Sequence, residues 1–309
     1  MHIHAARRWT SAAVVVLLPV VLLGAQQDYA IKLHRPAVAG TTYLVVASAG
    51  EDQTMTTSVD GQSGPADTTS MSVELTAHVT TLAISANGKE SKISLVIDKS
   101  KCAASGITSE VLPAGTTVVG VREGDESIYS VNDTMVNPRA TKCLKLALPV
   151  GGSDTSNDDR VFGTAARQKV GSSWPLNSAL VSQELLKSSG LMVEPRNVSG
   201  SVRLAEVASF AGQPALHIVG EVKMINVMVP LPPAIAVKSS EFSAALSGLF
   251  PVDPSRAGGQ SSMTMTGRVE CEVDANGRKG RLLMTMNQRD ERTITVEAPS
   301  ETPRRTIPR

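Results

Sequence analysis

An alternating stretch near the C-terminus, VECEVDANGRKGRLLMTM (269–286), most restricts what this chain can fold into. With Asn276-Gly277 as a two-residue type I′ turn, one face of the hairpin is apolar and the other carries opposite charges. The predicted cross-strand pairs are Cys271–Leu282, Val269–Met284, Glu272–Arg281 and Asp274–Lys279. A one-residue slip would move the apolar set into water, so the register is strongly specified. Cys271 is therefore predicted to point inward as a buried structural thiol rather than a nucleophile.

A second Ala-Asn-Gly hairpin is predicted at 83–98, in AISANGKESKISLVID. With Asn87-Gly88 as its turn, Leu82 faces Ile93, but the residues further out pair out of phase. One extra residue at Thr80–Thr81 restores the apolar pairing, so we expect a β-bulge there that curves the sheet. The pairs expected beyond the bulge are Val79–Leu95 and Ala77–Ile97.

Segments rich in β-branched and other apolar residues, separated by turn residues, recur along the whole chain, which is typical of an all-β protein. The predicted strands are 42–48, 71–84, 91–98, 116–122, 144–149, 200–208, 214–229, 264–274 and 278–288. In the longest C-terminal one, the residues expected to share a face are Leu216, Ile218, Val222, Met224 and Met228.

Two stretches are predicted to be short core-packing helices. Ser178–Ser188 follows the capping residue Asn177 and is stopped by Gly190, whereas Glu241–Leu249 follows Ser240. The predicted fold class is therefore mainly β, with long antiparallel meanders that form two β-sandwich or half-barrel units with one or two short helices.

Composition along the chain divides it into five parts. We expect a signal peptide at 1–25, an N-terminal β domain at 26–150 and a polar linker at 151–159. A C-terminal β domain at 160–297 and a proline-bearing disordered tail at 298–309 follow. The polar stretch 50–70 has no buried-strand pattern and is interpreted as a mobile loop. RPAVAGTTY (35–43) aligns with RQKVGSSW (167–174) after one insertion, so the halves are either duplicated or alike by chance.

The N-terminus has the pattern of a cleaved export signal. Arg7 and Arg8 precede an apolar run of about 12 residues that is shorter than the roughly 20 needed to span a bilayer. Cleavage after Ala25 is expected, with a retained membrane anchor as the alternative. The predicted location is periplasmic or extracellular.

Charge and aromatic content exclude several classes of partner. Removing 1–25 takes two of the 30 basic residues and no acidic one, which leaves 28 bases against 29 acids. Such a chain has no basic footprint for nucleic acid and no polybasic patch for an anionic membrane. Trp174 is the only tryptophan beyond residue 25, which argues against aromatic platforms for sugars or single-stranded bases.

Three cysteines are present, and an exported chain can oxidise them. Cys102 and Cys143 both fall in the first half and are the predicted disulfide pair, which leaves Cys271 without a cysteine partner.

The sequence contains no motif of known catalytic or phosphate-binding chemistry. The three histidines beyond residue 25, His34, His78 and His217, are far apart, each in or beside a predicted strand. They are interpreted as ordinary structural histidines, and a site would require them to converge in the fold. No catalytic residue, metal ligand or cofactor is therefore predicted.

A recognisable set of short motifs lies in three segments: RVFGTAARQKVGSSWPLN (160–177), EVASFAGQPALHI (206–218) and VDANGRKGRL (273–282). They resemble those of uncharacterised exported β-rich proteins of environmental Gram-negative bacteria. In that group a Val-Gly-x-x-Trp start precedes a long meander, and a Gly-Arg-Leu hairpin closes it. The resemblance covers mainly 160–297 and implies an exported β fold without a specific activity.

The function predicted is that of an exported, non-enzymatic envelope binding or structural protein whose partner is an apolar ligand or an envelope protein. The alternative is a periplasmic carrier, because a half-barrel of long strands around a helix resembles carriers that shield lipid acyl chains. An open apolar cavity of about 300–1,000 Å³ would favour the carrier.

Overall fold

One antiparallel sheet of thirteen strands forms the frame of the molecule in the computed structural model, which describes residues 27–35, 37–124, 126–151, 158–232, 234–275 and 278–297. The strands are β1 (Thr42–Val59), β2 (Gln62–Ile84), β3 (Glu90–Ala104), β4 (Ile107–Glu110), β5 (Thr117–Glu123), β6 (Glu126–Val131), β7 (Thr134–Met135), β8 (Ser173–Pro175), β9 (Val198–Phe210), β10 (Gln213–Ile225), β11 (Ile235–Pro251), β12 (Gly259–Ala275) and β13 (Arg278–Val296). The helices of the described residues are α1 (Pro138–Ala147), α2 (Asp158–Val161) and α3 (Ser178–Ser189), with a 3-10 turn at Pro195–Asn197. The predicted mainly β fold class is confirmed.

The two halves of the sheet meet where β1 pairs with β13. The strand order is β7-β6-β5-β3-β2-β1-β13-β12-β11-β10-β9-β8, with β4 paired to β3 outside this path. Consecutive strands are neighbours within each half, as in a meander. The first and last long strands of the chain therefore form the seam of a single continuous sheet.

The predicted C-terminal hairpin is confirmed residue by residue. Cys271 pairs with Leu282, Val269 with Met284, and Glu272 with Arg281. Asp274 likewise pairs with Lys279. Cys271 is fully buried, whereas the turn residues Asn276 and Gly277 lie outside the described residues.

The hairpin at 83–98 has the predicted outer register but a different turn and bulge. Val79 pairs with Leu95 and Ala77 with Ile97, as predicted. Ile93 pairs with Thr81 and not with Leu82, the predicted partner. Leu82 is itself the extra residue of the bulge, which therefore lies one position beyond Thr80–Thr81. The two-residue turn is also wrong: the Ser85 N–H donates to Lys89 O, and only Gly88 has positive φ, which closes a three-residue loop.

Of the two predicted helices, one is confirmed and one is wrong. Helix α3 begins after Asn177, whose side chain accepts from Leu180 N, and ends at Gly190 with a φ of 69°. The segment Glu241–Leu249 instead belongs to β11, between β10 and β12. Its apolar residues also alternate with period two, and pairing on both sides satisfies its backbone, so tertiary context overrides the helical pattern.

The predicted strand at 144–149 is wrong, because most of it lies in helix α1. Asn137 caps this helix by accepting from Ala140 N, and Pro138 occupies its first turn. The side chains buried at helical spacing are Ala140, Cys143, Leu144 and Ala147. The disulfide Cys102–Cys143, with a Cα–Cα distance of 6.4 Å, ties α1 to β3.

The stretch 50–70 was predicted to be a mobile loop, and this prediction is wrong. It forms the distal parts of β1 and β2, joined through Asp60 and Gly61, which both have positive φ as a type I′ turn requires. Residues 61–70 are exposed on both faces, so no alternation of burial marks this part of the hairpin.

The strand predicted at 214–229 ends earlier than expected, at Ile225. The first four of its predicted face residues are buried, but Met228 is exposed and lies beyond the strand. Asn226 has a φ of 54°, which ends the extended backbone before Met228.

Two hydrophobic cores lie on the same face of the sheet, here called the inner face. The first combines β1, β2, β3, β5 and β6 with α1, and the second combines β9 to β12 with α2, α3 and Ile31 and Leu33. The first core takes most of its residues from 26–150 and the second from 160–297, but Ile31 and Leu33 belong to the second core and Ile294 packs against the first. The division into two β domains stays a prediction. Of the predicted linker, 152–157 lie outside the described residues, while Asp158 and Asp159 begin α2. The predicted signal peptide and tail also lie outside the described residues. Within 160–297, residues 233, 276 and 277 lie outside them.

Candidate binding site between the two cores

A cleft of about 330 Å³ opens on the inner face at the seam between the two cores, and it is here called the central cleft. The register of β1, β13 and β12 places its floor residues, because Val45 pairs with Ile294, and Arg292 lies between Ala47 and Ser261. The apolar wall residues are Leu33, Val38, Leu148, Phe250, Ile294 and Val296. The polar wall residues include Arg35, Tyr43, Glu90 and Arg292. The cleft therefore exposes more apolar than polar surface, and the charged residues in its lining are Arg35, Lys89, Glu90, Asp158 and Arg292.

Glu90 carries the negative charge of one wall, and two hydroxyl groups hold it. The Tyr43 hydroxyl donates to the carboxylate at 2.9 Å, and the Thr81 hydroxyl donates at 2.6 Å. Burial raises the pKa of Tyr43, and the nearby charge of Glu90 raises it further. Tyr43 therefore stays a neutral donor to the Glu90 carboxylate.

Arg292 lies on the cleft floor and joins it to helix α1. Its Nη2 donates to Ala147 O at 3.0 Å and to Asp290 Oδ2 at 3.4 Å. A cation is favourable at this C-terminal end of the helix, where the backbone dipole is negative. Burial raises the pKa of Asp290, and the positive charge of Arg292 opposes that rise.

Arg35 lies on the opposite wall, in the segment that precedes β1. Its Nη2 donates to Pro251 O at 2.7 Å, and its Nη1 donates to Lys32 O. The same segment is held in place by Asp159, whose Oδ1 accepts from the Leu33 and His34 N–H groups. Burial lowers the pKa of Arg35, while the charges of Asp159 and Asp253 raise it.

Two glycines allow the backbone to pass close to other main-chain atoms at the rim. Gly151 has a φ of 63°, and a Cβ there would lie 2.5 Å from Glu90 O. Gly258 has a φ of 94°, and a Cβ there would lie 2.7 Å from Ile294 O. A larger residue at either position would strain the backbone and push the rim apart.

Beyond Arg292 the inner face continues as a strip of half-exposed apolar side chains, here called the apolar strip: Leu246, Met263 and Met265. Met263 lies between Leu246 and Asp290 across the sheet, and Met265 lies two residues further along β12. Met263 is 37% exposed. The strip is continuous with the floor of the central cleft, since Asp290 is two residues from Arg292 on the same face.

The structure does not bring the three histidines together. His34 lines the central cleft, whereas His78 contacts Asp98 at 3.2 Å and also Glu297. His217 contacts Glu206 at 3.3 Å and Ser247 at 2.9 Å. The strands of His78 and His217 are five strand spacings apart, which corresponds to about 24 Å. Among the described residues, no three His, Cys, Asp or Glu side chains are grouped so that they could hold a metal ion.

The cysteines have structural positions. Cys102 and Cys143 are buried in the first core and bonded to each other, and Cys271 is buried in the second. Burial raises the pKa of the Cys271 thiol, and the charge of Glu270 raises it further. A raised pKa disfavours the thiolate that nucleophilic chemistry requires.

The charged residues of the central cleft were not predicted from the sequence. Arg35, Tyr43, Glu90 and Arg292 belong to no motif, and they come from distant parts of the chain. The only sequence signal that includes any of them is the alignment of 35–43 with 167–174, which contains Arg35 and Tyr43 but indicates duplication rather than a site. In the described part of the chain, no helix is both long and apolar enough to cross a bilayer.

No protein family model matches this chain, and no curated protein matches it. Solved structures are only weakly similar to this chain, as three of them illustrate. Lipovitellin, studied for its lipid–protein interactions, aligns with a TM-score of 0.32 and 9% identity over 84% of this chain, which spans only 25% of lipovitellin. DynF from the dynemicin biosynthesis pathway of Micromonospora chersina aligns with a TM-score of 0.15 and 11% identity, covering 91% of this chain and 92% of DynF. An outer membrane channel from Pseudomonas putida F1 aligns with a TM-score of 0.20 and 8% identity, covering 85% and 98%. Scores this low carry no argument about function.

Proposed function

We propose that this protein is an exported, non-enzymatic binding protein that holds a small, largely apolar ligand in the central cleft. The observation that carries the proposal is the cleft itself, which is open to solvent, lies between two packed cores and exposes more apolar than polar surface. Its volume of about 330 Å³ lies at the low end of the range of small-molecule sites. Of the two functions predicted from sequence, this favours a carrier over a purely structural protein.

Export is part of the proposal and has two supports. The basic and apolar residues at 1–25 have the pattern of a secretory signal. The Cys102–Cys143 disulfide is typical of proteins that fold in an oxidising compartment.

The test uses N-phenyl-1-naphthylamine, a neutral apolar dye whose fluorescence rises when it leaves water. Ser261 is exposed, lines the cleft and faces inward beside Arg292, so Ser261→Trp should fill the cleft. Ser262, the next residue of β12, pairs with Glu291 and points to the opposite face, which makes Ser262→Trp the matched control. We expect saturable dye binding by the natural protein and by Ser262→Trp, and a loss of about tenfold or more in affinity for Ser261→Trp.

Two results would count against this function. Dye binding that does not saturate would show that the cleft takes no apolar ligand. Equal affinities for the two tryptophan variants would place any binding elsewhere. Native mass spectrometry of the protein purified from its own source, without added detergent, identifies a retained ligand by its mass and distinguishes a carrier from a structural protein.

A further inference from the structure

Two cationic side chains, Arg35 and Arg292, line the central cleft, and each has at least one N–H donor without an acceptor among the described residues. The Nε atoms of Arg35 and Arg292 are buried and have no hydrogen-bond partner in the described part of the chain. A guanidinium offers five N–H donors, and the described residues supply acceptors for Arg292 only at Nη2. The enclosed Nε atoms are out of reach of a ligand. The Nη1 of Arg292 also lacks an acceptor among the described residues but is not enclosed, so it is the donor that favours an additional acceptor in the cleft.

Carboxylates of the protein compensate these charges only in part. Asp159, which attracts Arg35, already accepts hydrogen bonds from two backbone N–H groups of the N-terminal segment. Asp290 lies 3.4 Å from Arg292, at the long end of hydrogen-bonding distances, and is itself partly buried. A ligand carboxylate is planar and matches the fork of a guanidinium, so it is the group that best completes the site at Arg292.

Glu90 limits the charge that such a ligand can carry. Glu90 and Arg292 line the same cleft, so an anion at Arg292 would also interact with the Glu90 carboxylate. This repulsion is stronger for a dianion than for a monoanion. The arrangement therefore favours a monoanionic carboxylate over a phosphate ester with two negative charges.

The apolar surroundings define the rest of the ligand. Ile294 and Phe250 flank the cleft floor, and the apolar strip of Leu246, Met263 and Met265 leads away from Arg292 along the same face. The strip lies on the other side of Arg292 from Ile294 and Phe250, so one chain that starts at Arg292 can follow only one of the two directions. We infer that the central cleft binds a single-chain amphiphile whose carboxylate pairs with Arg292 and whose apolar chain lies against Ile294 and Phe250. This inference rests on the proposed function and names its ligand class.

The experiment compares three probes with the same ten-carbon chain, namely decanoate, 1-decanol and decyl phosphate, by isothermal titration calorimetry at pH 8. We expect decanoate to bind roughly 10- to 100-fold more tightly than decanol, as a charge-assisted hydrogen bond provides. Decyl phosphate should bind more weakly than decanoate because of Glu90. In Arg292→Gln, decanoate should fall to the affinity of decanol, whose own binding should not change.

Arg289→Gln is the matched control, because Arg289 lies on the same strand but is exposed and pairs with Gly50 on the opposite face. It should retain the preference of the natural protein for decanoate. If Arg292→Gln fails to give the circular dichroism spectrum of a folded protein, Arg35→Gln replaces it and should reduce the same preference. The comparison of probes on the natural protein needs no variant.

Equal affinities of the natural protein for decanoate and decanol would overturn the inference and leave the proposed function standing. A folded Arg292→Gln protein that still prefers decanoate would also overturn it. If neither decanol nor the naphthylamine dye binds, both the inference and the proposed function fail.

Discussion

Removal of the Cys102–Cys143 disulfide should destabilise the protein by about 4 kcal/mol. The two cysteines are 41 residues apart, and the loss of loop-closure entropy in the unfolded chain for a loop of that size corresponds to about 4 kcal/mol at 25 °C. Both side chains are buried in the first core, so the double variant Cys102→Ala/Cys143→Ala adds a small packing loss. The expected loss is therefore about 4 kcal/mol from loop closure together with this small packing contribution.

The assay is urea unfolding followed by two signals. Trp174 is buried in the second core, and its indole N–H donates to Phe162 O at 2.8 Å, so its fluorescence reports that core alone. Far-ultraviolet circular dichroism reports the whole sheet. Because β1 and β13 join the halves in one sheet, we expect both signals to shift together to lower urea concentration.

Two controls and two contrary results define this test. The natural protein treated with a reductant should behave like the double variant, and Cys271→Ala should keep the response to reductant. A destabilisation below about 1 kcal/mol would refute the loop-entropy argument. An unchanged Trp174 transition beside a shifted circular dichroism transition would refute cooperative unfolding and support the two predicted β domains.

Two further predictions concern single side chains. Burial raises the pKa of Asp290 in the folded protein above its unfolded value near 3.9, so the ionised form costs stability once the pH rises above that value. Asp290→Asn should therefore raise the Tm at pH 7 and give no gain near pH 3.5, and thermal melts that show a loss at pH 7 would contradict this. Asn177→Ala should cost about 1 kcal/mol in urea unfolding, because it removes the cap of α3, while Gln183→Ala on the exposed face of α3 should change little.

The parts of the fold that could be predicted from sequence are those where neighbouring residues decide the structure. Alternation with a buried face specifies the register of the C-terminal hairpin, because Cys271, Leu282 and Val269 would all be exposed by a slip. The α3 boundaries follow from Asn177 and Gly190, since a cap acts within one helical turn.

The errors occurred where local residues allow two structures or none. Phe242, Ala244 and Leu246 suit a strand face as well as the predicted helix, and only the ladders to β10 and β12 decide between them. The hairpin at 50–70 has no buried face, so its pairing comes from the continuation of β1 and β2 rather than from its own residues. The one local signal of this hairpin is the Asp60-Gly61 turn at its centre.

The central cleft lay beyond prediction because it forms where the halves of the chain meet. Similar turns begin the two halves: Gly40 N donates to Thr81 O, and Gly171 N donates to Leu204 O. Each turn leads a buried aromatic residue, Tyr43 or Trp174, into its own core. This pattern extends the sequence alignment of 35–43 with 167–174, although duplication stays a prediction.

Each half buries most of its apolar residues in its own core on the inner face, apart from Ile31 and Leu33, and the seam between β1 and β13 lies between the two cores. Charged residues are tolerated on the inner face there, since Arg292 reaches the end of α1 from one half while Arg35 reaches Pro251 in the other. No pattern of neighbouring residues predicts the contact between the two halves, because the pairing of Ala47 with Arg292 joins distant parts of the chain. The candidate site is therefore a consequence of how two ordinary β meanders are joined.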